Sequence, residues 1–311
     1  MHGKTENRES SFWIPSTVEA TNPCGEQPLL PYGSCNLGSI NLSNMIKGDW
    51  IEKQGGIDWK KLCETIKIAV RFLDSVISVN LYPVPEIEKA AKKTRQIGLG
   101  IMGFADICIK LHIRYGSAAS VNLAKAIMSF IYSVANETSV KLGKEKGMAP
   151  VYSEYELSVP KRRNVTLTSI APTGTLSIIV NCSPGCEPHF AFDYSKECLE
   201  GETIDIVPEV VREWTRRKGN DAPLPEHFVT AGDIPMEEHI MVQAAFQTNG
   251  VDAGVSKTIN APEKTDKKQV SDAFFKAWKM GCKGITFYRD GSRKVQPLHA
   301  EKREETRNKK D

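Results

Sequence analysis

The feature that most limits what this chain can fold into is its alternation of long amphipathic runs with short β-branched stretches. Leu62, Ile66, Ala69, Leu73 and Val76 recur at helical spacing behind Asp58, a suitable N-cap, and Pro83 and Pro85 end the run. A short helix is expected near Glu86–Lys93. From about Ser120 to Lys146 the residues Leu123, Ile127, Ile131, Val134, Thr138 and Leu142 line one face, and Gly147 and Pro150 stop the helix. "NVTLTSI" (Asn164–Ile170) is β-branched and alternating, so it reads as a strand. Helices are expected near Val207–Arg217, Met236–Gln247 and Lys267–Lys279, with strand-like "GVSKTIN" and "GITFYR" after the last two. Strands alternating with helices of this length specify an α/β fold with parallel strands.

Apolar residues at 40% and charged residues at 25% of 311 are ordinary for a soluble globular protein, and a net charge of +3 gives no case for binding nucleic acid or membrane. No run approaches the roughly 18 apolar residues that span a bilayer. "MHGKTENRESSFW" lacks the apolar core of a signal peptide. The 8 cysteines are therefore expected in a reducing cytoplasm, where a disulfide is redox-active rather than structural, and the sequons at Asn41, Asn136, Asn164 and Asn181 carry little weight. Residues 1–17 read as a disordered leader, 18–293 as the folded domain, and 294–311, ending "EKREETRNKKD", as a disordered charged tail.

The stretch with chemical content is Thr21–Cys35, "TNPCGEQPLLPYGSC". Its prolines and glycines forbid a regular helix, and it sets Cys24 between Asn22 and Glu26, with Cys35 further on. Zinc wants four ligands in close pairs, which Asn22 and Glu26 do not supply. A hydrolytic thiol wants a histidine base, and outside the leader the nearest in sequence is His112. A carboxylate beside a thiol raises its pKa and so opposes thiolate formation. Glu26 is better suited to take a proton from a substrate hydroxyl, with Cys24 acting by hydrogen-atom transfer. That combination suits radical chemistry on an alcohol carbon. A buried cysteine in a Pro/Gly turn beside a surface glutamate accounts for the spacing equally well.

"GLGIMG" (Gly98–Gly103) satisfies the dinucleotide pattern G-x-G-x-x-G, but "KKTRQI" before it is a poor strand and the expected acidic residue is replaced by "SAASVN". These glycines are read instead as permitting close packing where the chain turns into "FADICIKL". After Ile170, the turn Ala171-Pro172-Thr173-Gly174-Thr175 opens onto "LSII". Free amides at a helix start attract phosphate, and Thr173, Thr175 and Ser177 add hydroxyls; an ordinary capped turn is the other reading.

Five segments together carry a resemblance: "ATNPCGEQPLLPYGSCNLGSINLS", "RQIGLGIMGFADI", "TSIAPTGTLSII", "QAAFQTNGVDAGVSKTINAP" and "GITFYRDGSR". In this order, from about residue 18 to 293, they resemble the class II, adenosylcobalamin-dependent ribonucleotide reductases. The resemblance implies the C-terminal half of a ten-stranded α/β barrel whose central finger loop carries the active cysteine. It implies that Cys24 becomes a thiyl radical and removes the 3′ hydrogen of the ribose, that Glu26 accepts the 3′-hydroxyl proton, and that Asn22 hydrogen-bonds the sugar hydroxyls. Cys35 is then one of two thiols that reduce the 2′ carbon and end as a disulfide, its partner lying outside this chain. Pro172, Thr173, Gly174, Thr175, Leu176 and Ser177 are the implied phosphate-binding turn for a ribonucleoside di- or triphosphate. Adenosylcobalamin is the implied cofactor, with a separate N-terminal reductase half and a thioredoxin-like reductant as partners.

Class I catalytic chains resemble the same region but carry adjacent tyrosines that relay a radical from a second subunit. Here the pair is Phe287-Tyr288, and phenylalanine cannot undergo that proton-coupled oxidation. This argues against a class I-like chain. The remaining alternative is a catalytically incompetent nucleotide-binding or assembly fragment, since the family's other redox cysteine and its effector elements precede the finger loop. "NCSPGCEPHF" departs from the family at Cys182 and Cys186; with His189 it forms C-x3-C-x2-H without an evident fourth ligand, so no metal is assigned. Cys63 and Cys108 are read as core, and Cys198 and Cys282 are unassigned.

Overall fold

The computed structural model describes residues 18–154, 161–197, 203–292 and 298–300. The chain enters through a hairpin, β1 (Ala20–Thr21) and β2 (Pro28–Leu29), then forms β3 (Asn36–Asn41) and a small ribbon of β4 (Ile46–Lys47) with β5 (Gly56–Ile57). Helices α1 (Trp59–Val79) and α2 (Pro85–Thr94) cross over to β6 (Ile97–Met102), which pairs in parallel with β3 from Asn36 opposite Ile97 to Asn41 opposite Met102.

After α3 (Phe104–Lys110) and α4 (Ala118–Lys146), residues 166–170 lie along the far edge of β6, where Ile97 N donates to Thr166 O at 3.1 Å and Ser169 N to Leu99 O at 3.2 Å. Three helices follow, α5 (Gly174–Ile179), α6 (Glu209–Lys218) and α7 (Met236–Gln247), with β7 (Tyr194–Glu197) and β8 (Thr203–Ile206) between the first two. They return the chain to residues 253–256, where Ala253 N donates to Thr168 O at 3.0 Å and Ser256 N to Ile170 O at 2.9 Å. The segment runs on into β9 (Thr258–Ala261), and α8 (Lys267–Lys279) leads to β10 (Thr286–Arg289), parallel to β9. Five parallel segments thus lie side by side in chain order, with helices in every crossover. Among the described residues they do not close into a barrel.

The expected helices form where the apolar periodicity places them. Asp58 caps α1 by accepting from Lys61 N at 3.0 Å, and α1 packs on α4, which packs on α7. By length and composition α4 could cross a membrane, contrary to the reading that no run is apolar enough. Here its apolar side, including Ala124, Ile127, Ile131 and Leu142, is buried in the core. "GLGIMG" differs in part from expectation: residues 98–102 lie in the strand β6, while Gly103, at φ +76°, makes the expected turn into α3. Its glycines do serve close packing: a Cβ at Gly100 would lie 2.1 Å from Ser169 O, and one at Gly98 2.5 Å from a Leu37 methyl. "NVTLTSI" is extended but joins its neighbours by isolated bridges at Thr168 and Ile170. Of the stretch read as a tail, Leu298–Ala300 forms β11, antiparallel to β7, and the remainder, like residues 1–17, lies outside the described residues.

One carboxylate ties the crossovers together. Asp74 on α1 is fully buried and accepts from Arg95 Nε at 2.8 Å, Asn164 Nδ2 at 3.1 Å and Arg163 Nε at 3.2 Å. Arg95 also donates to Asp74 O and Ser78 Oγ, so the start of β6 and the approach to residues 166–170 are both pinned to α1. Removing one member of such a network strands the buried charges it served. Asp74→Ala is expected to cost about 3–5 kcal/mol, read as a lower urea midpoint at unchanged slope. A shift equivalent to less than about 1 kcal/mol would show that water already screens the cluster.

Candidate active site

The hairpin of β1 and β2 closes around Asn22–Gln27. Asn22 organises its tip: Gly25 N donates to Asn22 O at 3.0 Å, Asn22 N to Gln27 O at 3.3 Å, and Gln27 N to Asn22 Oδ1 at 3.0 Å. Gly25 takes φ +78°, a conformation natural to glycine.

The tip sits on the third and fourth parallel segments. The main-chain oxygen of Glu26 accepts from Gly254 N at 2.7 Å and from Ser169 Oγ at 3.0 Å. This approach depends on Gly254, because a Cβ there would lie 2.9 Å from Gly25 O and 3.0 Å from Glu26 Cα.

The resulting arrangement inverts the bland alternative for this loop. Cys24 is exposed, whereas the Glu26 side chain is buried, at 2% exposure, and its Oε2 has no protein partner. Gln27 beside it is equally buried, with Nε2 also unpartnered. Cys35 is half-buried just before β3. Desolvation and then the Glu26 charge raise the pKa of Cys24, and the same two causes push Cys35 well above the ordinary thiol range. Glu26 therefore stands within electrostatic reach of both thiols. Asn22, Cys24, Glu26 and Cys35 form one group, with two protonated thiols and one sequestered carboxylate.

The 172–177 turn leaves the same strand that supports the loop, a few residues beyond Ser169. Thr173 precedes α5 with φ +52°, and its hydroxyl does not cap the helix but accepts from Gly185 N at 2.7 Å. The first-turn amides of Gly174, Thr175 and Leu176 have no intrahelical acceptor, and these three residues are exposed. Ser177 is buried; its N donates to Thr173 O at 2.8 Å and its Oγ to Gly174 O at 3.2 Å, so its hydroxyl serves the helix. Leu176 exposes an apolar side chain, and only its amide suits an anion.

Cys182, Cys186 and His189 do not gather as ligands. His189 Nε2 lies 3.0 Å from Asp106 Oδ1. Burial raises the Asp106 pKa, but His189 and the Ser183 amide overcome it and hold the carboxyl below its ordinary value. Cys182 and Cys186 are buried, and burial chiefly pushes the Cys182 thiol up to about 12. Cys108 is core, Cys63 and Cys282 are half-buried, and Cys198 lies outside the described residues. On β10, Phe287 packs with the cluster of Ile240, Ile259 and Ala277, its ring centroid 6.4 Å from that of Phe274.

Residues 1–162 and 160–288 match the family model described as "Ribonucleotide reductase, barrel domain". The chain belongs to this family. It is 42% identical over 94% of its length to the vitamin B12-dependent ribonucleoside-diphosphate reductase of Thermoplasma acidophilum, covering 40% of that protein. The protein of the same name from Mycobacterium tuberculosis is 41% identical over 94% of the chain, which covers 44% of it. A ribonucleoside-diphosphate reductase subunit alpha of Chlamydia trachomatis is 30% identical over 83% of the chain, which covers 30% of it. The chain thus spans about two fifths of the length of its B12-dependent relatives.

Ser169 and Gly254 were not singled out in the sequence, although both fall inside the segments that carry the family resemblance. A glycine within a strand-like segment signals close backbone approach, and that was the available clue to Gly254. Replacing the Glu26 charge should lower the Cys24 pKa without restoring the ordinary value, because burial remains. In Glu26→Gln, peptide-resolved iodoacetamide labelling of Cys24 is expected to reach its half-maximal rate at lower pH than in wild type. An unchanged midpoint would separate the carboxylate from the thiol.

Proposed function

We propose that this chain is the thiyl-radical half of a class II ribonucleotide reductase, its five parallel segments forming half of a ten-stranded barrel with the 22–27 loop as the central finger. The observation that carries this reading is an exposed, protonated Cys24 directly beside a buried Glu26 with a free carboxylate oxygen. A thiol must keep its proton to give up a hydrogen atom, and a general base must lack other partners to accept one.

In this reading Cys24, as a thiyl radical, takes the 3′ hydrogen of the ribose while Glu26 takes the 3′-hydroxyl proton. Asn22 spends Oδ1 on the loop, leaving its Nδ2 donors for the sugar hydroxyls. Cys35 contributes one of two thiols that reduce the 2′ carbon as its hydroxyl leaves as water, and a disulfide with a cysteine outside this chain is the oxidised product. Thr173, the amides of Gly174–Leu176 and the Thr175 hydroxyl receive the phosphates, with Pro172 and Ser177 shaping the turn. The names of the relatives favour a ribonucleoside diphosphate as substrate.

Adenosylcobalamin, when bound, supplies a carbon-centred radical by homolysis of its cobalt–carbon bond. Cys24 fits as the residue facing that chemistry, since its S–H is retained and its sulfur is open. Phe287 cannot relay an oxidation as a tyrosine does, which favours a radical generated at the site. The remaining barrel strands and the second redox cysteine come from the part of the relatives' length that this chain does not span, with a thioredoxin-like dithiol as reductant in a reducing cytoplasm.

The test is deoxyribonucleotide formation with adenosylcobalamin and a dithiol, using this chain alone and with the N-terminal portion co-expressed. Activity is expected only in the paired sample and is expected to vanish in Cys24→Ala and Glu26→Gln. A stable, nucleotide-binding complex without turnover would favour the assembly-fragment reading instead.

A further inference from the structure

Residues 183–189, which follow α5, are clamped from the core side. Ser183 N donates to Asp106 Oδ2 at 2.6 Å and the Tyr115 hydroxyl to Cys186 O at 2.6 Å. Glu187 is held at both carboxylate oxygens: Thr258 N donates to Oε1 at 2.5 Å and Lys257 Nζ to Oε2 at 2.5 Å. The Lys257 side chain is wholly buried. An ammonium has three protons and no acceptor, and all three find partners here in Glu187, the Thr258 carbonyl and His239 Nδ1 at 2.9 Å. His239 can accept because burial, and then the Lys257 charge, hold its pKa down to about 2. Its proton is thus assigned to Nε2, 3.3 Å from Ala231 O.

The other side of this segment meets the turn. Gly185, at φ +49°, donates its N–H to Thr173 Oγ1 at 2.7 Å, and a Cβ on it would lie 2.8 Å from Ala171 O. Thr173 occupies the left-handed region at φ +52°, which a β-branched residue adopts only when its surroundings over-determine it. Its hydroxyl bond to Gly185 is that determinant, and Gly185 is placed by Glu187 two residues on.

We propose that Glu187 and Lys257 are positioning residues for phosphate recognition. With Asp106 and Tyr115, the pair fixes residues 183–189, and through Gly185 it holds Thr173 and the amides of Gly174–Leu176 in the arrangement that receives the substrate's phosphates. This rests on the reading of the turn given above. The loop is seated separately, by Gly254 N and Ser169 Oγ on Glu26 O. The pair therefore governs affinity and leaves the chemistry of Cys24 and Glu26 in place.

The test uses the assembled reductase as wild type, Glu187→Gln and the double variant Glu187→Leu/Lys257→Met. The readouts are the thermal midpoint, the dissociation constant for inorganic pyrophosphate, and KM and kcat for the nucleotide. Glu187→Gln is expected to weaken pyrophosphate binding and raise KM by about tenfold, with kcat close to wild type. The double variant strands no buried ion, so it is expected to recover most of the thermal midpoint, short of the bond that Thr258 N made to Oε1, but not the affinity. Unchanged pyrophosphate affinity in Glu187→Gln, or affinity that returns with the thermal midpoint, overturns the proposal and leaves the reading of the turn standing. A turning-over wild-type enzyme with no pyrophosphate affinity overturns both.

Discussion

The structure depends on main-chain atoms coming closer than side chains ordinarily permit. At Gly98, Gly100 and Gly254 a single Cβ would collide with Leu37 or Ser169, with the Ser169 carbonyl, and with the 25–26 backbone respectively. These glycines let β3, β6 and residues 166–170 lie tightly together and let the Cys24 loop rest on main-chain donors. The loop is therefore attached by its backbone, and the Glu26 side chain is left free of protein hydrogen bonds at Oε2. A carboxylate used to hold the loop down would be a poor proton acceptor.

Burial and charge are arranged differently at the site and behind it. Behind it, Asp74 and Lys257 are fully buried ions whose hydrogen-bonding capacity is met by named partners, so each fixes several chain segments to one another. At the site, Glu26 and Gln27 are nearly as buried but each keeps an unpartnered polar atom. Leaving such an atom unmatched costs about 1–3 kcal/mol, and at this site a ligand can relieve it.

Much of this was legible from the residues. Asp58, Gly147 and the apolar spacing located α1 and α4 closely, and α7 and α8 fell where expected. β6 was not legible, for one reason. β6 is buried at every position, so it shows no polar alternation, and its glycines weaken any strand propensity. What marks it as a strand is its neighbours, which lie far away in the sequence. The chemistry of the loop was readable as a choice between a radical site and an inert turn. What the sequence does not carry is exposure, Cys24 outward and Glu26 inward, the reverse of a buried cysteine beside a surface glutamate, and exposure arises from tertiary packing. Gly254 and Ser169, which impose it, are more than 140 residues from the loop they support, Ser169 by 143.

β3 pairs with β6 along one edge, and among the described residues its other edge has no strand beside it. Leu37 on that strand is exposed, as is Phe72 on α1, which lies beside β3. An uncovered strand edge bordered by apolar side chains is a template for pairing with whatever chain arrives first. In a growing or refolding polypeptide this makes timing matter: a correct partner strand must reach β3 before a second copy does. Yield on refolding should then depend on dilution more steeply than thermodynamic stability alone dictates.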